Sequence, residues 1–291
     1  FLIEYLDDTI KTPDQVRDLT GLATLGGVVK LEGATPADRL VATTSARSPS
    51  AEAYRVLRTN LQFSSLDKPL STLVITSATP GEGKSTTAAN LAIVLAQAEK
   101  RVILVDADLR RPSLHKIFRV PNHTGLSTAL LDKQHDPAVY LQDAEVPNLR
   151  ILVTGPIPPN PAEMLSSTRM GEVIETLKGE ADVVVFDMPP VLAVADASIL
   201  ASRVDGTVLV VGVGEARGEM LVQAVERLES VGVHPLGVVL NKLTERKSGY
   251  YYYYYYQYAS RYEADGSDSN EKPSGRGRRR SRSQPKAPQV S

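Results

Sequence analysis

The chain has 291 residues, with 33 Lys and Arg against 34 Asp and Glu and a formal net charge of −1. This length and a composition 23% charged and 42% hydrophobic fit one large α/β domain plus a tail, and exclude wholly disordered and collagenous classes. The absence of cysteine excludes disulfides, thiolate zinc and cysteine nucleophiles, the scattered His115, His123, His135 and His234 make no metal site, and the near-neutral balance gives no case for nucleic acid as a partner.

No run of 18 apolar residues and no signal peptide is visible, and Phe1 in place of Met points to a fragment or a processed chain. Thr12 and Pro13 form a helix start, Thr12 as cap and Pro13 at the first position. Gly26 and Gly27 are expected to break the run, with Val28 and Val29 opening a short extended piece. Residues 32–50, rich in Ala, Thr, Ser and Pro, read as a linker. Residues 51–63 place Tyr54, Leu57 and Leu61 at helical spacing.

Apolar runs over 73–76, 102–105, 149–153, 183–186, 207–213 and 236–240 then alternate with helical segments over 86–97, 162–177 and 219–230. Continuous apolar strands between helices predict an α/β fold, a doubly wound, mostly parallel sheet with helices on both faces. Four regions follow: a first segment and linker over 1–49, a nucleotide-type domain over 50–247, a tyrosine cluster over 248–262 and a disordered basic tail over 263–291.

Residues 73–90, LVITSATPGEGKSTTAAN, place a glycine-bearing loop between a strand and a helix, the context of a phosphate-binding loop. Gly81 and Gly83 let backbone N–H groups close on phosphate oxygens, and the helix start adds its dipole. Lys84 is expected to reach the β- and γ-phosphates of a nucleotide and Ser85 to hold Mg²⁺. Pro80, Glu82 and Thr86 complete the cradle, and Ala78 stands where the motif's first Gly usually is.

Two further strands end in acids. VILVDADLRRP delivers Asp106 and Asp108 to a carboxyl end, suited to Mg²⁺ or to accepting a hydroxyl proton, with Arg110 and Arg111 beside them. VVVFDMPP delivers Asp187, a second cation anchor. The plain alternative at each is a solvated strand end. Asn241, in GVVLNK after the last strand, is a candidate for reading adenine, or a turn residue.

These three motifs together resemble the Walker A, A′ and B set of bacterial tyrosine kinases, a family that shares its fold with MinD/ParA-like ATPases. Many of the latter carry an extra lysine early in the loop, where this chain has Thr79. Glu52, Arg55 and Arg58 in EAYRVLRTNLQF resemble the family's ExxRxxR helix, which implies a ring-like homo-oligomer, the alternative being ion pairs within one exposed helix. FLIEYLDDTIKTPDQV resembles the family's juxtamembrane segment and implies a membrane anchor upstream of Phe1. The resemblance covers residues 1–262.

Nine of the twelve tyrosines fall in the cluster: Tyr250, Tyr251, Tyr252, Tyr253, Tyr254, Tyr255, Tyr256, Tyr258 and Tyr262. No secondary structure has a period of one, so seven in a row do not build a core. Alone they read as a sticky low-complexity tail. The resemblance makes them the autophosphorylated residues. Residues 264–291 carry a local charge of about +4, leaving about −5 for the rest, and the GRGRRRSRS run is read as a solvated tail, a lipid contact or a partner for phosphotyrosine.

The resemblance therefore implies an ATP- and Mg²⁺-dependent tyrosine autokinase at the cytoplasmic face of a bacterial membrane, regulating capsular or exopolysaccharide polymerisation and export. It implies a membrane chain-length determinant as activator, fused or separate, with a phosphatase and sugar enzymes as further partners. Lys84, Asp106, Asp108 and Asp187 are the catalytic candidates, Asp108 or Asp106 taking the phenol proton and Lys84 and Arg110 offsetting phosphoryl charge. A MinD/ParA-like ATPase and a non-catalytic ATP-binding scaffold are the alternatives.

Overall fold

The computed structural model describes residues 7–64 and 69–244. The tyrosine cluster and the basic tail lie outside the described residues. Eight strands form one sheet: β1 (Thr24–Val29), β2 (Thr72–Ser77), β3 (Val102–Asp106), β4 (Gln142–Asp143), β5 (Leu149–Leu152), β6 (Val183–Asp187), β7 (Gly206–Gly212) and β8 (Gly237–Leu243). Their order is β1-β8-β7-β2-β6-β3-β5-β4. Every pairing is parallel except the two-residue β4 against β5.

Sequence explains this arrangement. All six residues of β2 are buried, as befits a strand covered on both faces. Side chains alternate across it: Val74 enters one apolar core, Leu73 and Ile75 the other. The first core holds α1 (Pro13–Thr20), α6 (Leu126–Leu131), α7 (Pro161–Ser166), α8 (Thr168–Glu180), α9 (Asp196–Ala201) and α10 (Gly218–Glu229). The second holds α2 (Val41–Thr44), α3 (Pro49–Ser64), α4 (Lys84–Ala96) and α5 (Leu114–Phe118). The doubly wound architecture is as the pattern predicts.

Thr12 does cap α1, its hydroxyl accepting from the Gln15 amide at 3.3 Å while the Gln15 side chain reaches back to the Thr12 amide at 3.1 Å. Four local expectations need correction. Gly26 and Gly27 lie inside β1 rather than breaking it. Gly26 passes over Leu57 of α3, close enough that an added Cβ would meet the Leu57 Cβ at 3.4 Å, so small residues here bring strand and helix together. The segment over 162–177 is two helices, not one. Ser167 starts the second by accepting from the Met170 amide, and Arg203 takes up the carbonyls of Leu165, Ser166 and Ser167 at the break. The last strand runs on to Leu243, so Asn241 lies within it.

The fourth correction concerns 1–49. Its described part is not a separate linker segment. β1 extends the sheet alongside β8, a one-turn 3₁₀ helix (Ala37–Arg39) and α2 follow, and Leu40 and Ala42 are buried. Asn90, wholly buried on α4, holds this stretch: its amide nitrogen donates to the Arg39 carbonyl at 2.9 Å and its oxygen accepts from the Ala42 amide at 3.1 Å. Residues 7–244 thus belong to one compact unit.

Asn90→Ala should lose about 1–3 kcal/mol, because the buried Ala42 amide is left without its acceptor. Chemical denaturation measures the loss, and amide exchange at Ala42 should rise with it.

Candidate functional site

The loop after β2 and the start of α4 stand beside the carboxyl ends of β6 and β3, where open α/β sheets bind ligands. Gly81 and Gly83 take left-handed φ values of 89° and 95°, which glycine adopts without strain. A Cβ at Gly83 would also lie 2.0 Å from Asn241 Nδ2. Pro80 and Gly81 are exposed and Gly83, Lys84, Ser85 and Thr86 half-buried, so the amides that open α4 are accessible to an anion.

Parallel register sets the acids. Asp106 of β3 is the direct neighbour of Asp187 of β6, and both are wholly buried. Asp106 Oδ2 accepts from the amides of Ser113 and Leu114, each at 2.9 Å. Its Oδ1 has no partner, nor does Asp187 Oδ2. Burial pushes the Asp106 carboxyl up, and Asp187 beside it adds to the rise. Burial likewise raises Asp187, against the opposing pull of Lys84.

Lys84 Nζ lies 3.1 Å from Asp108 Oδ2 and 3.2 Å from Asp187 Oδ1, and donates to Ser85 Oγ at 3.2 Å. Burial alone would lower its pKa, but Asp187 and Asp108 together hold it above the ordinary lysine value. Asp108 Oδ1 accepts from the Arg110 and Arg111 amides at 3.3 and 2.9 Å, closing the turn after β3. Sequence and structure therefore agree in bringing Lys84, Ser85, Asp106, Asp108 and Asp187 together.

Other candidates are placed differently. Arg110 turns to Asp196, with Nε and one terminal nitrogen at 2.8 and 3.0 Å from the two oxygens of that buried carboxylate. This is a bidentate pair, so the guanidinium is held by a protein acid rather than left open to a phosphoryl group. Asn241 Nδ2 donates to the Glu82 carbonyl at 2.9 Å, bracing the loop from beneath. On α3, Arg55 meets Glu52 of the same chain at 2.6 Å and the Ala46 carbonyl at 2.6 Å, while Arg58 donates to the Val94 carbonyl at 3.0 Å. None of these three joins the acids.

One residue does more than the sequence reading assigned. Glu82 was expected as one residue of the phosphate cradle. Its side chain is 2% exposed and clasps the loop: Oε1 accepts from the Thr79 amide and hydroxyl at 2.6 and 2.7 Å, Oε2 from the Gly212 amide at 3.0 Å. Burial raises its pKa, the three donors and Lys242 opposing. A glutamate flanked by two glycines in a phosphate loop is the signal that pointed to it. Thr79, spent on this clasp, is occupied within its own loop.

The residues fit a divalent cation shared with a nucleotide. Two buried carboxylate oxygens lack partners beside a serine hydroxyl. Such a set suits Mg²⁺, which is held by one or two carboxylates together with substrate phosphates; among the described residues no group of three or more His, Cys, Asp or Glu is placed to hold a metal ion.

Comparison with known proteins agrees with this geometry. Residues 70–247 match the ParA family, described as NUBPL iron-transfer P-loop NTPase. The chain is 45% identical over 225 residues to tyrosine-protein kinase YwqD of Bacillus subtilis (strain 168), covering 76% of this chain and 94% of that one. It is 37% identical over 202 residues to tyrosine-protein kinase etk of Escherichia coli (strain K12), covering 69% of this chain and 28% of that longer one. The solved kinase domain of Escherichia coli tyrosine kinase ETK superposes with a TM-score of 0.76 at 31% identity, over 81% of this chain and 96% of that one.

Two outcomes are expected. Glu82→Gln turns an N–H₂ group either toward the Thr79 amide and hydroxyl or toward the Gly212 amide, donors in both cases. It should cost about 1–3 kcal/mol and weaken nucleotide binding, seen by thermal unfolding and titration. Asp106→Asn should raise the stability of the nucleotide-free protein. A carboxyl raised on folding, here to about 7, holds its proton longer in the native state, so native stability falls as pH climbs from the ordinary aspartate range to that value. The advantage of Asp106→Asn should therefore grow from about pH 4 to about pH 7 and level off above it, while its stabilisation by Mg²⁺ with nucleotide is lost.

Proposed function

The chain belongs to the bacterial tyrosine-protein kinases built on the ParA-type P-loop fold, and from that premise we propose that it transfers the γ-phosphoryl group of ATP to its own C-terminal tyrosines. The observation that carries the reading is the pair of partnerless, buried carboxylate oxygens of Asp106 and Asp187 beside Lys84. Those oxygens can take a divalent cation, and the P-loop beside them can take phosphates.

In this reading Gly81–Ser85 cradle the phosphates, and Ser85, Asp106 and Asp187 hold Mg²⁺. The cation neutralises phosphate charge when bound. Lys84 exchanges its contacts with Asp108 and Asp187 for phosphate oxygens, which frees Asp108 Oδ2. A tyrosine phenol enters, and Asp108 takes its proton, with Asp106 the rival base. The phenol oxygen bonds to the γ-phosphorus as the bond to the β–γ bridging oxygen breaks, and ADP leaves with that electron pair. In the same reading Asn241, besides bracing the loop, is the candidate contact for adenine.

The family resemblance points to the C-terminal tyrosines as acceptors, and the tyrosines of the described residues compete poorly. Tyr54 is wholly buried, and burial raises its pKa further. Tyr140 donates to Asp132. Tyr250–Tyr256, Tyr258 and Tyr262 remain, together with Tyr5 outside the described residues.

The same reading includes a ring-like homo-oligomer through Glu52, Arg55 and Arg58. The intrachain Glu52–Arg55 pair is part-exposed, and such pairs contribute at most about 1 kcal/mol, so exchanging it for a partner's residue costs little. It also includes a membrane activator, fused or separate, at the inner face of the cell membrane, and control of capsular or exopolysaccharide export. Among the described residues no helix is long and apolar enough to cross a membrane.

Intact-mass and peptide mass spectrometry after incubation with Mg-ATP tests the chemistry. Additions of about 80 Da each, the mass of one phosphoryl group, should map to Tyr250–Tyr262 and vanish in Lys84→Met. ADP release with no protein phosphate would assign the chain to hydrolysis instead. Each phosphate adds about −1.5 to −2 charge, so Mg-ATP should shrink the oligomer of the parent but not of a variant with Phe at all nine cluster positions. Light scattering reads the difference, and equal dissociation of both would overturn the charge explanation.

A further inference from the structure

A groove of about 450 Å³ opens between α9 and α10, away from the residues assigned to nucleotide and cation. Ser198, Ile199 and Ser202 face it from α9 and the turn after it, at helical spacing. Arg227, Ser230 and Val231 face it from α10 and its end with the same spacing, and Arg203 closes one side. No carboxylate lines it among the described residues. Glu229, a sequence neighbour of Ser230, lies instead against His234 at 3.5 Å.

The hydrogen-bond inventory is incomplete here. Ser202 donates to the Ile199 carbonyl at 2.9 Å and Ser230 to the Arg227 carbonyl at 2.7 Å, so both hydroxyl protons are spent. Ser198 is 6% exposed, and its hydroxyl is buried with no partner. Buried hydroxyls are nearly always paired, so an orphan points to something that completes it. The Arg227 guanidinium makes no hydrogen bond or ion pair among the described residues. Arg203, fixed by three carbonyls, adds a second positive charge that cannot swing away.

An unspent O–H donor, a free guanidinium fork and a fixed cation call for an anion with several acceptor oxygens. Ile199 and Val231 supply apolar surface in the same groove, which suits an anion carried on an apolar body. An aryl phosphate has both parts. The chain itself carries the matching group, nine tyrosines within the residues that follow Thr244.

We infer that this groove binds a phosphotyrosine side chain from segment 248–262 of the chain in its phosphorylated form. The assignment rests on the kinase reading for the origin of the phosphate, and not for the recognition itself. Binding has a route to the active site. The first residue of α9 is Asp196, which clamps Arg110 on the turn that carries Asp108. The product would then be held on the helix that positions part of the catalytic turn.

The test uses the full chain, treated with phosphatase and free of nucleotide, and a synthetic peptide of residues 248–262 bearing phosphotyrosine. The synthetic phosphate makes binding independent of whether the chain phosphorylates itself, so failure here is distinct from failure of the kinase reading. The phosphopeptide should bind roughly tenfold or more tighter than its unphosphorylated twin. Arg227→Ala, an exposed change that leaves the fold intact, should remove most of that difference, and Ser198→Ala part of it. Saturating Mg-ADP should leave binding unchanged, and phenyl phosphate should compete better than inorganic phosphate. Equal affinity of the two peptides, indifference to Arg227→Ala or displacement by Mg-ADP overturns the inference. Equal competition by inorganic phosphate overturns the aryl part of it.

Discussion

Two carboxylates on neighbouring parallel strands, Asp106 and Asp187, are fixed side by side by the register of the sheet. Both are buried, and neither is fully hydrogen-bonded. Like charges so placed repel, and the low-dielectric interior penalises each separately. The protein tolerates the pair because the sheet over-determines it: the strands that carry the acids are central, apolar and covered on both faces. Lys84 relieves part of the repulsion by lying across Asp187 and Asp108. This is a poor way to stabilise a fold and a good way to prepare a cation site.

The rest of the site keeps that arrangement from relaxing. Ser113 and Leu114 amides hold one oxygen of Asp106. Glu82 ties the loop to the end of β7, and Asn241 ties it to β8. Asp196 holds Arg110. Each brace is a charged or amide side chain on a backbone group or a guanidinium, and three of the four lie in strands or the phosphate loop. Loops alone would close onto the unpaired acids. Braced, they leave the oxygens open, which is what pre-organisation requires.

The fold was legible from periodicity because its strands are buried on both faces, and continuous apolar runs mark such strands clearly. The metal-type acids and Lys84 were legible because their chemistry depends on position in a strand–loop–helix unit, and sequence order carries that. Three things were not. The docking of 37–44 depends on Asn90, which is far along the chain and looks like any helix residue. The break at Ser167 depends on Arg203, some 36 residues away. The Arg110–Asp196 pair is likewise non-local, so Arg110 read as a free cation beside the acids. Long-range polar pairing is where a single sequence says least.

Thr79 and Glu82 bear on the charge balance of this site. With Thr79 bonded to Glu82, the early part of the loop is committed inward and contributes no positive charge. Lys84 is then the one loop cation facing three acids: Asp106, Asp108 and Asp187. Such a pocket suits a divalent cation taken up together with phosphates. In the proposed transfer Lys84 turns to the phosphates and leaves Asp108 Oδ2 free to accept a proton. That base serves a phenol and a water alike, so the choice between transfer and hydrolysis rests on which nucleophile is brought in line with the γ-phosphate.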